Sequence, residues 1–558
     1  MKKSSTWTAL ANPVFRRLWF ATLISGTCIA AHDTAATWTM NMLTNSPLLL
    51  SLMSTVASLP FFLFTLPAGA LADIVDRKRI MYVMNVWLAV SAGGLAVFGW
   101  LHLLNPYILL AGVFLIGVGF AFNAPAWTAI QPEIVSNDEL PSAATLGGLQ
   151  LNISGIIGPA IGGFLLSFIG ANFVFALNGL CFLLLIAAVA SLQRKKAPAN
   201  LPLENFLESF ITAVRYARYA PGIQVVMARN ILFAFFISVI PALLPVVGLK
   251  ELHLDPSNLG LVFTSMGFGS VIGAILILPW ARAKFSSNAV TVMANLLVAV
   301  VFILMALIRE PQLFLIAAGL AGAAWTMAAA ELWVAGQRAM PGWARGRMNA
   351  IVIMAAQGAL ALGGIIWGSS ASMWGVTVTL LGATVLLLAS LLLLFWLSID
   401  FTYELKFEPA AVPGSCHRFI HVLQPHDGPI SVTMEFEVNY SRGREFLERL
   451  REVRLIHLRN GAFSWRLHED LDRANTYRIE MMVPSWTEYL LEQERLTKSE
   501  QEAIEKAWAL HTGENPPVVR HFLCVNRELH SRHHQVARPS SLAEAPLSID
   551  SIAPIEPI

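Results

Sequence analysis

Charge is what this 558-residue sequence has least of. Only 13% of its residues are Asp, Glu, Lys or Arg, about half the share of a soluble domain, while 56% are hydrophobic. The scarcity is uneven. Residues 1–400 carry 20 Lys/Arg and 13 Asp/Glu, whereas the last 158 residues carry 18 and 23. Two solvents are implied, lipid for the first stretch and water for the second. An ordinary soluble enzyme, a basic nucleic-acid-binding face and a fibrous or fully disordered chain are excluded. Cysteine is also scarce. The four, Cys28, Cys181, Cys416 and Cys524, form no CxxC pair and two lie in apolar stretches, which suggests neither a disulfide framework nor a zinc site. No G-x-x-x-x-G-K-[ST] run occurs, so a P-loop nucleotide engine is absent.

What is present is long apolar runs. A helix needs about 20 mostly apolar residues to cross the hydrocarbon layer. Twelve such segments can be drawn, near 17–42, 48–71, 80–103, 107–128, 141–168, 172–192, 223–248, 258–281, 287–308, 311–336, 345–369 and 374–399. Basic residues precede the first run, as in a signal peptide, but the run continues to about Met42 and others follow. It reads as a spanning helix and not as a cleaved leader. The expected organisation is a six-helix half over 1–192, a polar loop over 193–222 and a second six-helix half over 223–400. A soluble domain over 401–535 and a disordered tail over 536–558 follow. Lys and Arg fix the expected orientation. With the N-terminus in the cytoplasm, that side collects seventeen of them in its loops and the other side only Lys250 and Arg309. Both termini are then cytoplasmic.

The halves echo each other. At an offset of 206, Gln131 meets Gln337 and Ala144 meets Ala350. Duplicated halves that rock about a midplane site are common in transporters.

Two motifs carry more. Between the second and third spans come Gly69, Leu71, Ala72, Asp73, Asp76, Arg77, Lys78 and Arg79. Gly69 suits a close helix approach, Asp73 suits capping the next helix or pairing with an arginine, and the three cations anchor one membrane face. After the eighth span only Arg282 and Lys284 remain of an equivalent loop. In the fifth span, Gly155, Gly158, Pro159, Gly162 and Gly163 combine a small-xxx-small face with a proline that frees a carbonyl and allows a bend.

The first motif closely resembles the signature loop of the major facilitator superfamily, with Asp76 where that family has glycine. The second resembles the GPxxGG element that accompanies proton-exchanging exporters in that superfamily. Together with PAWTAIQPEIVSNDELPSAATL and Phe173 to Asn178, they resemble a drug–proton antiporter group that includes siderophore and macrolide exporters, over residues 12–400. The resemblance implies an all-α membrane protein of twelve helices in two halves, set in a bacterial inner membrane. It further implies a small-molecule substrate and a proton gradient in place of any cofactor.

Ionisable groups inside spanning helices are costly and therefore candidate sites. Asp33 lies in the outer half of the first span, where a carboxyl that alternates between charged and neutral states would couple protons. The alternative is a satisfied carboxylate that ties this helix to a neighbour. His32 is adjacent, but successive helical residues point about 100° apart, so it also reads as a packed histidine. Glu331 is the third coupling candidate; the competing reading is an ion pair with Arg338, Arg345 or Arg347. Glu133, Asp138 and Glu139 are placed to pair with Arg77 and Arg79, or to lie in a solvated loop. For cargo, Trp38, Asn123, Trp127, Asn230, Trp325 and Met327 offer aromatic, amide and thioether surface suited to an amphipathic molecule. Simple packing is the competing reading for each.

From about residue 416 the pattern changes to strand, strand, helix, strand, strand, two helical stretches and a last strand, the first strand being RFIHVLQ. This is close to β-α-β-β-α-β and resembles the ferredoxin-like α+β domain of the antibiotic-biosynthesis monooxygenase type, which implies a homodimer through this domain. His468, Trp465 and Tyr477 are candidates for a pocket there, against plain packing. His530, His533 and His534 form a small cluster in a polar tail. A regulatory or dimerising role is expected of this region, with a separate enzymatic role as the alternative.

Overall fold

The computed structural model describes residues 7–136, 138–192, 214–341, 344–394, 397–400, 424, 426–513 and 515–524. The chain divides into two compact units, Met1–Phe407 and Glu408–Ile558. Most of the expected central loop, residues 418–423 of the expected strand at 418–424, the cluster of His530, His533 and His534, and the tail over 536–558 lie outside the described residues, as does the side chain of Asp73.

The first unit is a helical bundle. Its helices are α1 (Pro13–Leu43), α2 (Pro47–Ile74), α3 (Arg77–Trp100), α4 (Pro106–Ile134), α5 (Leu140–Ile169) and α6 (Ala171–Ala190). Then follow α7, from Pro221–Ile237 through Val239–Val246 to a π turn at Val247–Glu251, and α8, from Pro256–Ile272 through a π turn at Gly273–Ile277 to Leu278–Lys284. The last four are α9 (Ser287–Leu307), α10 (Pro311–Ala339), α11 (Arg345–Trp374) and α12 (Val376–Leu394).

Where the helices begin is written locally. Asn12, Ser46, Asn105 and Asp255 each precede a proline and accept from backbone N–H groups of the first turn, which satisfies donors that the helix itself leaves orphaned. The two halves also turn alike. α5 passes to α6 through Gly170 at φ +81°, and α11 passes to α12 through Gly375 at φ +86°, a backbone conformation that only glycine adopts freely.

Among the described residues, eleven helices, α1 to α11, are long and apolar enough to cross a membrane. Twelve were expected; α12 is also apolar, and its described part is shorter than the others.

Two seams join the halves, α2 along α11 and α5 along α8. Small residues set both. A Cβ on Gly163 would stand 2.7 Å from the Pro256 carbonyl oxygen, and one on Gly260 would stand 2.5 Å from that of Pro159. Across the other seam, side chains at Gly364 and Gly368 would meet the hydroxyls of Thr55 and Ser51. Thr55 donates to the Ala361 carbonyl at 3.1 Å, Thr264 to that of Ile156 at 3.0 Å, and the Ser167 and Ser257 hydroxyls stand 2.9 Å apart.

The second unit holds a four-stranded antiparallel sheet in the order β2–β3–β1–β4, from β1 (Ile430–Glu437), β2 (Ser464–Glu469), β3 (Thr476–Val483) and β4 (Val518–Leu523). Helix α13 (Gly443–Asn460) connects β1 to β2, and α14 (Trp486–Arg495) and α15 (Lys498–Trp508) connect β3 to β4. Strand alternation sends Val432, Met434, Phe436, Ile479 and Met481 into a core with Phe446, Leu450 and Ala507 of the helices. The unit therefore has its own hydrophobic core.

Candidate functional site

The bundle has a basic end, where α2 turns into α3, and an opposite end, where α1 turns into α2. At the basic end Asp76 caps α3 by accepting from the N–H groups of Lys78 and Arg79, at 2.8 and 3.2 Å. Capping, or pairing with an arginine, was expected of Asp73, whose side chain lies outside the described residues. That residue instead lies inside α2, which runs on to Ile74, so the residue standing where the superfamily has glycine performs the capping. Arg77 reaches Glu133 of α4 at 2.5 Å and the Ala129 carbonyl at 3.0 Å. Lys78 donates to the carbonyls of Ala190 and Leu192, at 2.8 and 2.7 Å, where the end of α6 presents its negative dipole. The loop thereby ties α3, α4 and α6 of one half together.

The seams do not run closed along their whole length. A Cβ at Gly69 in α2, at Gly346 in α11, or at Gly147 or Gly148 in α5 would meet nothing within 4 Å. Gly69 was expected to bring two helices together; it faces open space instead. Toward the opposite end α5 and α8 touch backbone to backbone, Gly364 and Gly368 of α11 close on the hydroxyls of Thr55 and Ser51 of α2, and Lys250 of the second half donates to the Thr44 carbonyl and to Asn45 Oδ1 of the first, at 3.1 and 3.2 Å.

The fifth-span motif divides its residues between two neighbours. Gly158 and Gly162 pack on α1, where a Cβ would stand 2.5 Å from Ala30 Cβ and 2.7 Å from Ala31 Cα respectively. Gly163 and the Pro159 carbonyl face α8, as does the Gly155 carbonyl, which would stand 2.7 Å from a Cβ on Gly267. One motif holds a half together on one side and meets the other half on the other.

A cavity of about 220 Å³ opens on α7, α10 and α11. Asn230 and Trp325, both expected as cargo residues, line it with Trp333, Asn349, Gln357 and apolar neighbours. The Asn230 amide donates to the Val226 carbonyl at 2.9 Å, and Asn349 Oδ1 accepts from Gln337 at 3.0 Å. Among the described residues, no acidic or basic side chain lines this cavity. The other expected cargo residues are elsewhere. Trp38 packs on the main core, Met327 is buried within it, Trp127 packs with Ile80 and Ile130, and Asn123 has a buried Oδ1 with no partner among the described residues. Trp333, Asn349 and Gln357 were missed. Their signal was polar and aromatic residues recurring at helical spacing inside otherwise apolar α10 and α11.

The three coupling candidates have different surroundings. Asp33 is exposed on α1, in the half of that helix nearer α2. His32 is fully buried against Phe175 with ring centroids 4.6 Å apart, and neither ring nitrogen has a partner among the described residues. The two do not share a surface. Glu331 is buried and pairs with Arg282 of α8. Arg338, Arg345 and Arg347 were the expected partners; the pair forms instead between neighbouring helices of the second half. Arg229, which sequence reasoning left without a role, is buried and bonds Asn288 and the Leu397 carbonyl. In the second unit His468 lies on the sheet face opposite to that of Trp465 and Tyr477, so the three expected pocket residues are not brought together.

The comparisons bear on this arrangement. The model of the transmembrane secretion effector family of the major facilitator superfamily matches residues 4–529, through both units. The macrolide efflux protein A of Streptococcus pyogenes is 24% identical over 50% of this chain and 68% of its own length. The enterobactin exporter EntS of Citrobacter koseri is 25% identical over 47% of this chain and 63% of its own. Among solved structures, a bacterial homologue of the lysosomal transporter Spinster, in an inward-facing and unoccupied conformation, superposes with a TM-score of 0.57 at 13% identity. It covers 69% of this chain and 96% of that one. The nucleoside transporter NupG superposes at 0.56 and 12%, covering 68% and 100%; both likenesses speak to the fold alone. Matched by that family's model over most of its length, this chain belongs to the transmembrane secretion effector family and is a multi-pass membrane transporter of the major facilitator superfamily.

Proposed function

We propose that this protein exports a small amphipathic compound across a bacterial inner membrane in exchange for protons. The observation that carries the reading is the pair of glycine-lined seams, closely packed at one end while Gly69, Gly346 and Gly148 near the other face open space, an arrangement that supports one state of an alternating-access carrier. The basic end is cytoplasmic by the distribution of Lys and Arg, both termini are on that side, and α12 is the twelfth span. Cargo enters between the halves from the basic end and meets the aromatic and amide surface of Trp325, Trp333, Asn230, Asn349 and Gln357. Its class is that of the relatives: a macrolide, a siderophore or a similar amphiphile. Asp33 is the coupling group, because it is an accessible carboxyl on a membrane-spanning helix. Glu331 is less suited, since its carboxylate is already engaged by Arg282. The second unit is read as a ferredoxin-like domain that dimerises or regulates.

Everted vesicles carrying a pH-sensitive dye test this. Addition of siderophores, macrolides or lipophilic cations to an energised preparation is expected to collapse the proton gradient for at least one of them, and Asp33→Asn is expected to abolish the response. An Asp33→Asn protein that still exports against a gradient would overturn the coupling role. Substrate movement without proton movement would replace antiport by a facilitator.

A further inference from the structure

Two of the chain's four cysteines meet inside the bundle, although 153 positions separate them. Cys28 lies midway along α1 and Cys181 midway along α6, and their Sγ atoms stand 2.7 Å apart as free thiols. A disulfide bond is about 2.05 Å long, so each side chain has only a few tenths of an ångström to move. The site is built by packing: α1 lies along α6, Cys181 is buried and Cys28 half-buried. Cysteine is rare in the chain, and nothing in the transport reading uses this pair.

We propose that Cys28 and Cys181 are an intramembrane dithiol that closes to a disulfide on exposure to a hydroperoxide. In that step both S–H bonds and the peroxide O–O bond break and one S–S bond forms. The two thiols lose two electrons and two protons to the peroxide, which leaves as an alcohol and water. Apolar hydroperoxides suit the position, since both helices are apolar membrane spans that such molecules enter. The bond staples α1 to α6 within one half and crosses neither seam, so the motion between the halves stays free. It fixes the helix that carries Asp33, five residues further along.

The test uses the full chain in membranes with Cys416 and Cys524 replaced by serine, treated with cumene hydroperoxide, denatured and labelled with a heavy maleimide. Two labels per chain are expected before oxidation, none after it, and two again after reduction. A digest should contain one cross-linked peptide pair bearing Cys28 and Cys181. Cys28→Ser and Cys181→Ser, examined separately, should each keep one label after the same treatment. Retention of both labels in the oxidised parent, loss of thiols as oxygen adducts that reductant does not reverse, or chain-to-chain dimers in place of the internal cross-link would each overturn the proposal.

Discussion

Glu331 shows how much a single residue's meaning depends on its partner. An acid in an apolar span is readable from sequence as a site, but the cation that meets it is fixed by helix packing, and here Arg282 comes from the preceding hairpin of the bundle. The arginine side chain is 44% accessible and the carboxylate 1%, so the cost of separating them falls on the acid. Arg282→Ala leaves a buried carboxylate without its cation and is expected to cost about 3 kcal/mol, at the low end for a broken buried pair because water reaches one member. Glu331→Gln removes the charge and should cost less. In Arg282→Ala/Glu331→Gln the second substitution should recover part of the loss. Thermal unfolding of the detergent-solubilised variants checks this ordering; a double variant whose cost equals the sum of the two single costs would mean that the pair contributes no electrostatic coupling. Asp33 and His32 teach the same lesson from the other side. Their adjacency was visible in the sequence, while the burial of His32 follows from its packing on Phe175 of α6, which no local pattern encodes.

At the scale of elements, what was legible was what is local. Helix starts at Asn12, Ser46, Asn105 and Asp255 follow from capping residues next to prolines, and the apolar runs gave the order of the helices directly. What was not legible was which neighbour each glycine serves. On α5, Gly162 packs against α1 of its own half, while Gly163, one residue on, packs against α8 of the other. Sequence spacing cannot assign the two faces, because both neighbours demand a residue without a side chain. The assignment has different consequences. Gly162→Ala should loosen packing within a half and lower the unfolding temperature by several degrees. Gly260→Ala, whose Cβ would meet the Pro159 carbonyl oxygen at 2.5 Å, should instead wedge the seam between halves. It is expected to raise the labelling rate of a cysteine placed at Ser257, near the closed end of that seam, by at least about tenfold with a membrane-impermeant maleimide, since about 1.4 kcal/mol of bias toward the parted state is worth that factor. Unchanged labelling at that position would show that the α5–α8 contact does not hold the opposite end closed.

For the whole molecule the question is what the second unit adds to a carrier. The first unit contains both seams, the cavity and every residue proposed for coupling, and its helices build their own core. The second unit has a separate core around Phe436, Phe446 and Met481. Two cores mean that neither unit depends on the other for its buried apolar surface. The family model's match runs to residue 529 and so extends into the second unit. A role in binding or moving cargo would make transport fail without the second unit; a regulatory or dimerising role would leave transport running at an altered rate or affinity. A chain ended after Phe407 is expected to insert, to unfold within a few degrees of the parent, and to retain transport in the vesicle assay at a rate within about tenfold of it. That range reflects the 1–3 kcal/mol within which coupling between distinct sites ordinarily lies. A truncated chain that inserts and unfolds normally but moves no substrate would place part of the transport cycle in the sheet and its helices.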